Sequence, residues 1–242
     1  MPWRTWEVVV IGLTGLVLTL VVGVLLAVGF AVTGLAEADD LATLTLVLVI
    51  VPPLIVLAIA GLWIGGRYRG AGLRAVLTPA GPPQTSTLKA LGLATAAVAG
   101  WFLVIQLGLG SLVDWMNPGF FDDVQSELAD LATGSPVEVA ALVIAAVVLA
   151  PLWEEIFFRG LLFAGMERRF GFWPAALVSS LVFGLVHFEG LAAGSFYLMG
   201  QTAVLGLVLA WLLRRTGTLL APIAAHALNN VIAVGLLLAT AG

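Results

Sequence analysis

Residues 137–163 read VEVAALVIAAVVLAPLWEEIFFRGLLF, an apolar run with Glu154, Glu155 and Arg159 close together near its end. A membrane is crossed by about 20 mostly apolar residues, so the run predicts a transmembrane helix. Each charge near the middle of such a helix costs about 2.5–3.5 kcal/mol, so these three together cost roughly 7–10 kcal/mol in lipid. We therefore expect the charged side chains to face protein or a water-filled cavity, where charged residues of membrane helices are usually functional.

The composition of the whole chain is that of a membrane protein. Of the 242 residues, 61% are hydrophobic and 10% are charged, whereas a soluble domain has about 45–50% apolar and about 25% charged residues. This excludes a soluble enzyme and a disordered chain, and the formal net charge of −4 leaves no basic excess for binding nucleic acid. The chain has no Cys, which excludes disulfides and thiolate zinc sites.

Seven stretches are long and apolar enough to cross a membrane, so the expected fold is an all-α, polytopic transmembrane helix bundle. The stretches lack the alternation of polar and apolar residues that membrane β-barrels show. An eighth span would result if residues 112–131 also enter the membrane. The seven stretches are 6–33, 41–64, 88–113, 137–163, 173–188, 195–213 and 219–239.

A Gly- and Pro-rich segment, 67–87, divides the chain into a two-span N-terminal piece, 1–66, and a five-span core, 88–242. With seven spans, all Lys and Arg residues except Arg159 fall on one side of the membrane. The positive-inside rule therefore predicts a multi-pass protein of the cell membrane, with the N-terminus in the cytoplasm and the C-terminus outside.

The charged residues of span 137–163 differ in their local surroundings. Glu155 and Arg159 are four residues apart, share a helix face and can form an ion pair. Glu154 lies about 100° further round the helix, where it has no cation nearby in the sequence. A carboxyl group in this position is suited to proton transfer near neutral pH.

The two histidines of the chain lie in two other predicted spans. His187 is near the end of 173–188, and His226 lies in 219–239 with Asn230 one turn later on the same face. Imidazole and amide groups that face lipid would lack hydrogen-bond partners. We therefore expect the polar faces of the three spans to meet at one cavity.

Three short motifs follow one another on these spans: Glu-Glu-x-x-x-Arg at 154–159, Phe-x-x-x-His at 183–187 and His-x-x-x-Asn at 226–230. In this order they resemble the CPBP group of intramembrane proteases. The group comprises CAAX proteases and bacteriocin-processing (Abi) proteins, and is related to the Ras-converting CAAX endoprotease. The resemblance covers about residues 137–239, and the first 110 or so residues match only in being transmembrane.

The resemblance implies an intramembrane endopeptidase that works among membrane lipids on a membrane-associated protein or peptide. By their places in the motifs, Glu154 and His187 would activate a water molecule. His226 and Asn230 would stabilise the oxyanion. Three further motif residues are expected to support the site: Glu155, Arg159 and Phe183.

The residues leave the use of a metal open. The resembling group is often described as metalloproteases, although a metal-free glutamate mechanism is also argued for it. Glu154, His187 and His226 could hold a divalent metal such as zinc and leave a fourth position for water. Alternatively, Glu154 acts as the general base without a metal.

Two other functions fit a polar cluster inside a membrane. A non-catalytic scaffold or immunity protein could keep the same fold. A transporter or proton-coupled carrier could use the same side chains, but many such proteins are built from inverted repeats, which the sequence does not show.

Overall fold

The computed structural model describes residues 6, 7, 10, 77–79, 83–120, 132–188, 191 and 193–241. Every regular element within these ranges is a helix, as the sequence predicted. The predicted spans 6–33 and 41–64 lie almost wholly outside the described residues. The count of seven or eight spans therefore stays a prediction.

The described part of the core consists mainly of long helices, which we label α1 to α5. Two of them include π-helical stretches. The helices are α1, Thr87–Met116; α2, 136–170; α3, Phe172–Leu185; α4, Ala193–Thr216; and α5, Leu220–Ala241.

Three of these helices are long and apolar enough to cross a membrane: α1, α4 and the part of α5 at Leu220–Thr240. They contain or closely match the predicted spans 88–113, 195–213 and 219–239. Helix α3 is a shorter apolar helix that ends at Leu185, before the predicted end of span 173–188. Helix α2 includes span 137–163 and carries the charged residues in its middle.

Helix α2 alternates between α- and π-helical stretches. Its π-helical stretches are Ile144–Leu149 and Glu155–Phe163, on either side of the short α-helical stretch Ala150–Glu154 that contains Pro151. Such stretches are rare and occur frequently at functional sites. The two glutamates therefore lie where the backbone changes from one helical form to the other.

Two glycines allow the chain to reverse between helices. Gly171, with φ of 80°, is the single residue between α2 and α3, and Gly217, with φ of 74°, follows α4. This left-handed conformation is readily accessible to glycine because it has no Cβ.

The bundle core is formed by apolar faces of α1, α4 and α5. Buried residues of α1 recur every three or four positions, as expected for one face of a helix. They pack against buried leucines of α4 and small residues of α5. The cluster comprises Ala90, Ala94, Val98, Trp101, Leu205, Leu209, Leu212, Ala221 and Ala225.

Helices α3 and α4 approach each other closely through small residues. A Cβ atom added to Gly206 would lie 2.9 Å from Cβ of Ser180, and one added to Gly184 would lie 2.8 Å from Cβ of Ala203. Small residues at such crossings allow membrane helices to pack backbone against backbone. Because Gly184 is three residues before His187, this contact also sets the position of the second motif.

Replacing Gly206 by Ala is expected to lower the free energy of unfolding by about 1–3 kcal/mol, because the added methyl group overfills the contact with Ser180. The control is Gly200→Ala in the same helix, where no heavy atom lies within 4 Å of an added Cβ. It should be neutral or slightly stabilising, since Ala favours helix over Gly. Unfolding of both variants in detergent micelles checks this, and equal stabilities would contradict the close contact.

The basic ends of α2 and α4 lie together. Nη1 of Arg214 is 3.1 Å from Oε1 of Glu167, and each helix ends with two arginines, Arg168 and Arg169 in α2 and Arg214 and Arg215 in α4. The sequence placed both pairs on the same side of the membrane. Which side that is, and where the termini lie, stay predictions.

The described part of the predicted linker contacts the turn between α4 and α5. The backbone N–H of Gln84 donates to the carbonyl of Thr216 at 2.8 Å, and that of Leu219 donates to the carbonyl of Leu77 at 2.9 Å. These bonds attach the segment before α1 to the turn between α4 and α5. The two-piece division at 67–87 is otherwise a prediction.

Candidate active site

Glu154, His187 and His226 come together from three helical segments, as the sequence predicted. Oε2 of Glu154 is 3.9 Å from Nε2 of His187 and 3.8 Å from Nε2 of His226. Glu154 and His226 are buried, whereas the side chain of His187 is 32% exposed. The cluster is therefore accessible mainly on the side of His187.

The side chain of His187 caps the C-terminal end of α3. Its backbone N–H donates to the carbonyl of Gly184 at 3.0 Å, and its ring Nδ1 lies 2.7 Å from the carbonyl of Phe183. A carbonyl only accepts, so Nδ1 carries a proton, and Nε2 is the ring atom that faces Glu154. The sequence placed His187 within a helical span, but it lies in the turn after Leu185. Its backbone N–H bonds Gly184, so the imidazole takes the place of that N–H at the carbonyl of Phe183, as side chains often do at helix ends.

His226 is held by the ion pair that the sequence predicted. Nη1 of Arg159 donates to Oε1 of Glu155 at 2.8 Å, and Nδ1 of His226 lies 2.9 Å from the same oxygen. Glu155 and Arg159 are completely buried. Since an ionised carboxylate only accepts, Nδ1 of His226 carries a proton, and its Nε2 is the atom that faces Glu154.

The two histidines thus differ in the partner of their Nδ1 atoms. A neutral carbonyl of Phe183 orients His187, and the carboxylate of Glu155 orients His226. A carboxylate on one side of an imidazole stabilises the ring when it takes a second proton on the other side. His226 is therefore the better donor towards a developing negative charge, and His187 the better acceptor.

Phe183 lies at the centre of the cluster rather than at its edge. Its buried ring is 4.9 Å from the ring of His187 and 5.6 Å from that of His226, measured between centroids. The guanidinium carbon of Arg159 is 4.2 Å from the same ring centroid, a cation–π contact. Phe183 therefore contacts both histidines and the buried cation, and its supporting role stays a prediction.

Asn230 contacts the backbone of α2. Its Nδ2 donates to the carbonyl of Ala146 at 2.7 Å, and its Oδ1 accepts from Nδ2 of Asn229 at 3.1 Å. Both terminal atoms of the Asn230 amide are thus engaged within the protein. These partners favour a role in packing α5 against α2, in addition to or in place of the predicted oxyanion role.

The sequence did not single out two residues that extend this contact. They are Asn229, which precedes Asn230 in α5, and Trp101 of α1. In the structure, Nε1 of Trp101 donates to Oδ1 of Asn229 at 3.0 Å. Pro151 is the feature of the sequence that could have predicted such a contact. Proline has no N–H, so a carbonyl about one turn earlier in the helix needs another donor.

The predicted metal ligands have suitable chemistry but unsuitable spacing. Both histidines present Nε2 while a partner holds Nδ1, as zinc-binding histidines do. However, ligand atoms about 2.1 Å from a tetrahedral zinc lie about 3.4 Å apart, whereas Oε2 of Glu154 is 3.8 and 3.9 Å from the two nitrogens. Across the described ranges, no three His, Cys, Asp or Glu side chains form a group that could hold a metal ion.

Comparison with known proteins identifies the segment that carries the site. Residues 136–232 match the family model described as type II CAAX prenyl endopeptidase Rce1-like. This segment contains all three motifs and begins with α2. No solved structure matches the chain significantly.

Two curated proteins are similar to the chain. It is 30% identical over 139 residues to "Putative membrane peptidase YdiL" of Bacillus subtilis (strain 168), covering 57% of this chain and 54% of that protein. It is 32% identical over 97 residues to "CAAX prenyl protease 2" of Homo sapiens, covering 34% of this chain and 30% of that protein. The matched regions thus span about half of the first relative and less than a third of the second.

The family match and the relatives agree with the resemblance that the three motifs suggested. Together with the apolar helices, they indicate a membrane protein. Residues 136–232 of the chain are therefore similar to the family described as type II CAAX prenyl endopeptidase Rce1-like.

Proposed function

We propose that this chain is an intramembrane endopeptidase that hydrolyses a peptide bond of a membrane-associated protein or peptide. One observation carries the proposal. Oε2 of Glu154 is buried, has no hydrogen-bond partner among the residues that the structure describes, and faces Nε2 of both His187 and His226. A buried carboxylate oxygen normally has a partner, so this one is suited to hold a molecule that is shared with the histidines.

The distance between Oε2 of Glu154 and Nε2 of His187 would allow one water molecule to bond to both atoms. Placed about 2.8 Å from both Oε2 of Glu154 and Nε2 of His187, it would make hydrogen bonds at about 90° to each other. Glu154 then accepts its proton while the oxygen attacks the carbonyl carbon of the scissile peptide bond. The same carboxyl group can later pass the proton to the leaving amine nitrogen.

The negative charge that forms on the attacked carbonyl oxygen needs a donor. We assign this role to Nε2 of His226, because the carboxylate of Glu155 behind the ring supports an imidazole that donates from Nε2. Arg159 holds Glu155 in place through their ion pair at 2.8 Å. Asn230, the second donor predicted from the motif, has one amide hydrogen beyond that used by Ala146, but its observed partners support a positioning role more directly.

We propose further that the reaction uses no metal. The spacing of Glu154, His187 and His226 supports this, because Oε2 of Glu154 lies 3.8 and 3.9 Å from the two nitrogens, further than the about 3.4 Å between ligand atoms of an ideal tetrahedral zinc site. The general-base mechanism requires only a proton acceptor and a donor, and the cluster has both.

The experiment is peptide cleavage by the purified protein in liposomes, with product masses as the readout. The panel should pair prenylated with unprenylated peptides ending in a CAAX sequence, because one relative is named a CAAX prenyl protease, and should include unmodified transmembrane peptides. We expect one internal cleavage by the wild type, unchanged after exhaustive chelation, and none by the His187→Ala control. Equal cleavage by this control would reject the catalytic assignment, and loss on chelation with recovery on adding zinc would reject the metal-free mechanism.

A further inference from the structure

The carbonyl of Ala146 loses its helical hydrogen bond because of Pro151. Within the π-helical stretch Ile144–Leu149, carbonyls accept from the N–H five residues later, and the N–H of Ala150 donates to the carbonyl of Ala145 in this way. The donor for Ala146 in the same pattern would be residue 151. That residue is proline, which has no N–H.

A side chain of α5 replaces the missing donor. Nδ2 of Asn230 lies 2.7 Å from the carbonyl oxygen of Ala146. Its amide is held in this orientation, because Nδ2 of Asn229 donates to Oδ1 of Asn230 at 3.1 Å. Asn229 is oriented in turn by the indole N–H of Trp101, which donates to its Oδ1 at 3.0 Å.

These bonds form a directional series across three helices. It runs from Trp101 in α1, through Asn229 and Asn230 in α5, to Ala146 in α2, and each amide accepts from the residue before and donates to the residue after. Trp101 is buried, at 5% exposure. It also lies outside the segment 136–232 that matches the family, so the series connects another part of the chain to the site.

We propose that this series positions His226 against Glu154, and that Trp101, Asn229 and Asn230 are positioning residues of the active site. The proposal rests on the function proposed above. His226 lies one turn before Asn230 on α5, about 6 Å along the helix axis. Glu154 lies on α2, three residues after Pro151.

The same two helices therefore carry both the hydrogen bond and the reacting pair. A rotation or slide of α5 that broke the bond to Ala146 would also change the 3.8 Å distance between Nε2 of His226 and Oε2 of Glu154. A misplacement of about 1 Å in a catalytic group can lower a rate about 100-fold.

The decisive test is a double-mutant cycle of Pro151→Ala and Asn230→Ala. Alanine at position 151 restores an N–H for Ala146, so the side chain of Asn230 is no longer needed there. With proline present, Asn230→Ala should lower kcat at least about tenfold and lower the unfolding midpoint in detergent micelles. In the Pro151→Ala background, the same change should lower kcat about threefold or less, with a smaller shift of the midpoint.

Several outcomes would overturn the proposal. Additive shifts of the unfolding midpoint would mean that the Ala146 bond is not made. An equal loss of kcat in both backgrounds, even with coupled unfolding, would mean that Asn230 contacts the substrate itself. The double-mutant cycle measured by unfolding needs no substrate, so it tests the Ala146 bond even if the peptide panel shows no cleavage. A wild type that cleaves nothing, or a Glu154→Gln variant with full activity, would instead reject the proposed function.

The far end of the series is tested by Trp101→Phe, which keeps the aromatic ring and removes the indole N–H. We expect a three- to tenfold lower kcat with an unchanged KM for the cleaved peptide. The matched control, Trp115→Phe, changes an exposed tryptophan of the same helix and should have no effect. A higher KM with an unchanged kcat, or equal effects of both variants, would overturn the positioning role of Trp101.

Discussion

Glu154→Gln should lower the rate of peptide cleavage by about 100- to 10,000-fold, the contribution that a positioned general base typically makes. Glutamine has nearly the same shape as glutamate but cannot accept the proton of water. Since Oε2 of Glu154 has no hydrogen-bond partner in the described part of the chain, the change breaks no observed hydrogen bond at that atom. The unfolding midpoint should therefore stay close to that of the wild type, and single-turnover cleavage in liposomes measures the effect.

Glu167→Gln is the matched control for this prediction. Glu167 is also on α2 but lies near its basic end, where it pairs with Arg214. It lies outside the three motifs, and its replacement should leave cleavage within about twofold of the wild type, because its partner Arg214 is exposed and ion pairs with an exposed partner contribute little. A Glu154→Gln protein with more than about half of the wild-type rate would remove Glu154 from the mechanism.

Arg159→Met is expected to lower the free energy of unfolding by about 3–5 kcal/mol, because it leaves Glu155 buried without its cation. The methionine retains apolar contact with the ring of Phe183 but loses the cation–π interaction. The measurement is the free energy of unfolding in detergent micelles. Arg169→Met is the control on the same helix, since Arg169 is exposed and its change should stay within about 0.5 kcal/mol.

A second variant separates stability from catalysis at this pair. Changing both Glu155→Gln and Arg159→Met removes both charges, so much of the lost stability should return. Cleavage should not return, because His226 no longer has a carboxylate behind Nδ1. If Arg159→Met is as stable as the wild type, or if the double variant recovers full activity, the roles given to Glu155 and Arg159 are wrong.

Contacts within one helix could be predicted from the sequence. The spacing of Glu155 and Arg159 is a local property of helical backbone, and the ion pair at 2.8 Å confirms it. The meeting of Glu154, His187 and His226 was predicted from a different argument, the cost of placing polar groups in lipid. That argument says that the groups must share a polar environment, but not which atom faces which.

The end of α3 could not be predicted in the same way. Periodicity extended the span to residue 188, whereas the helix ends at Leu185. The helix ends early because the imidazole of His187, and not a backbone N–H, bonds the carbonyl of Phe183. Hydrophobic periodicity does not indicate which of these two donors is used.

From the amino-acid sequence alone, a helical membrane protein could be predicted in which the charged residues at 154–159 and both histidines share a polar environment, because apolar length and the energetic cost of buried charge depend on composition and spacing alone. The partner of each group depends on how the helices pack against one another. Glu155 orients His226, Phe183 contacts both histidines, and Asn230 bonds the carbonyl that Pro151 leaves open. These contacts join residues far apart in the chain, and they depend on how the helices rotate and approach through small residues such as Gly184 and Gly206.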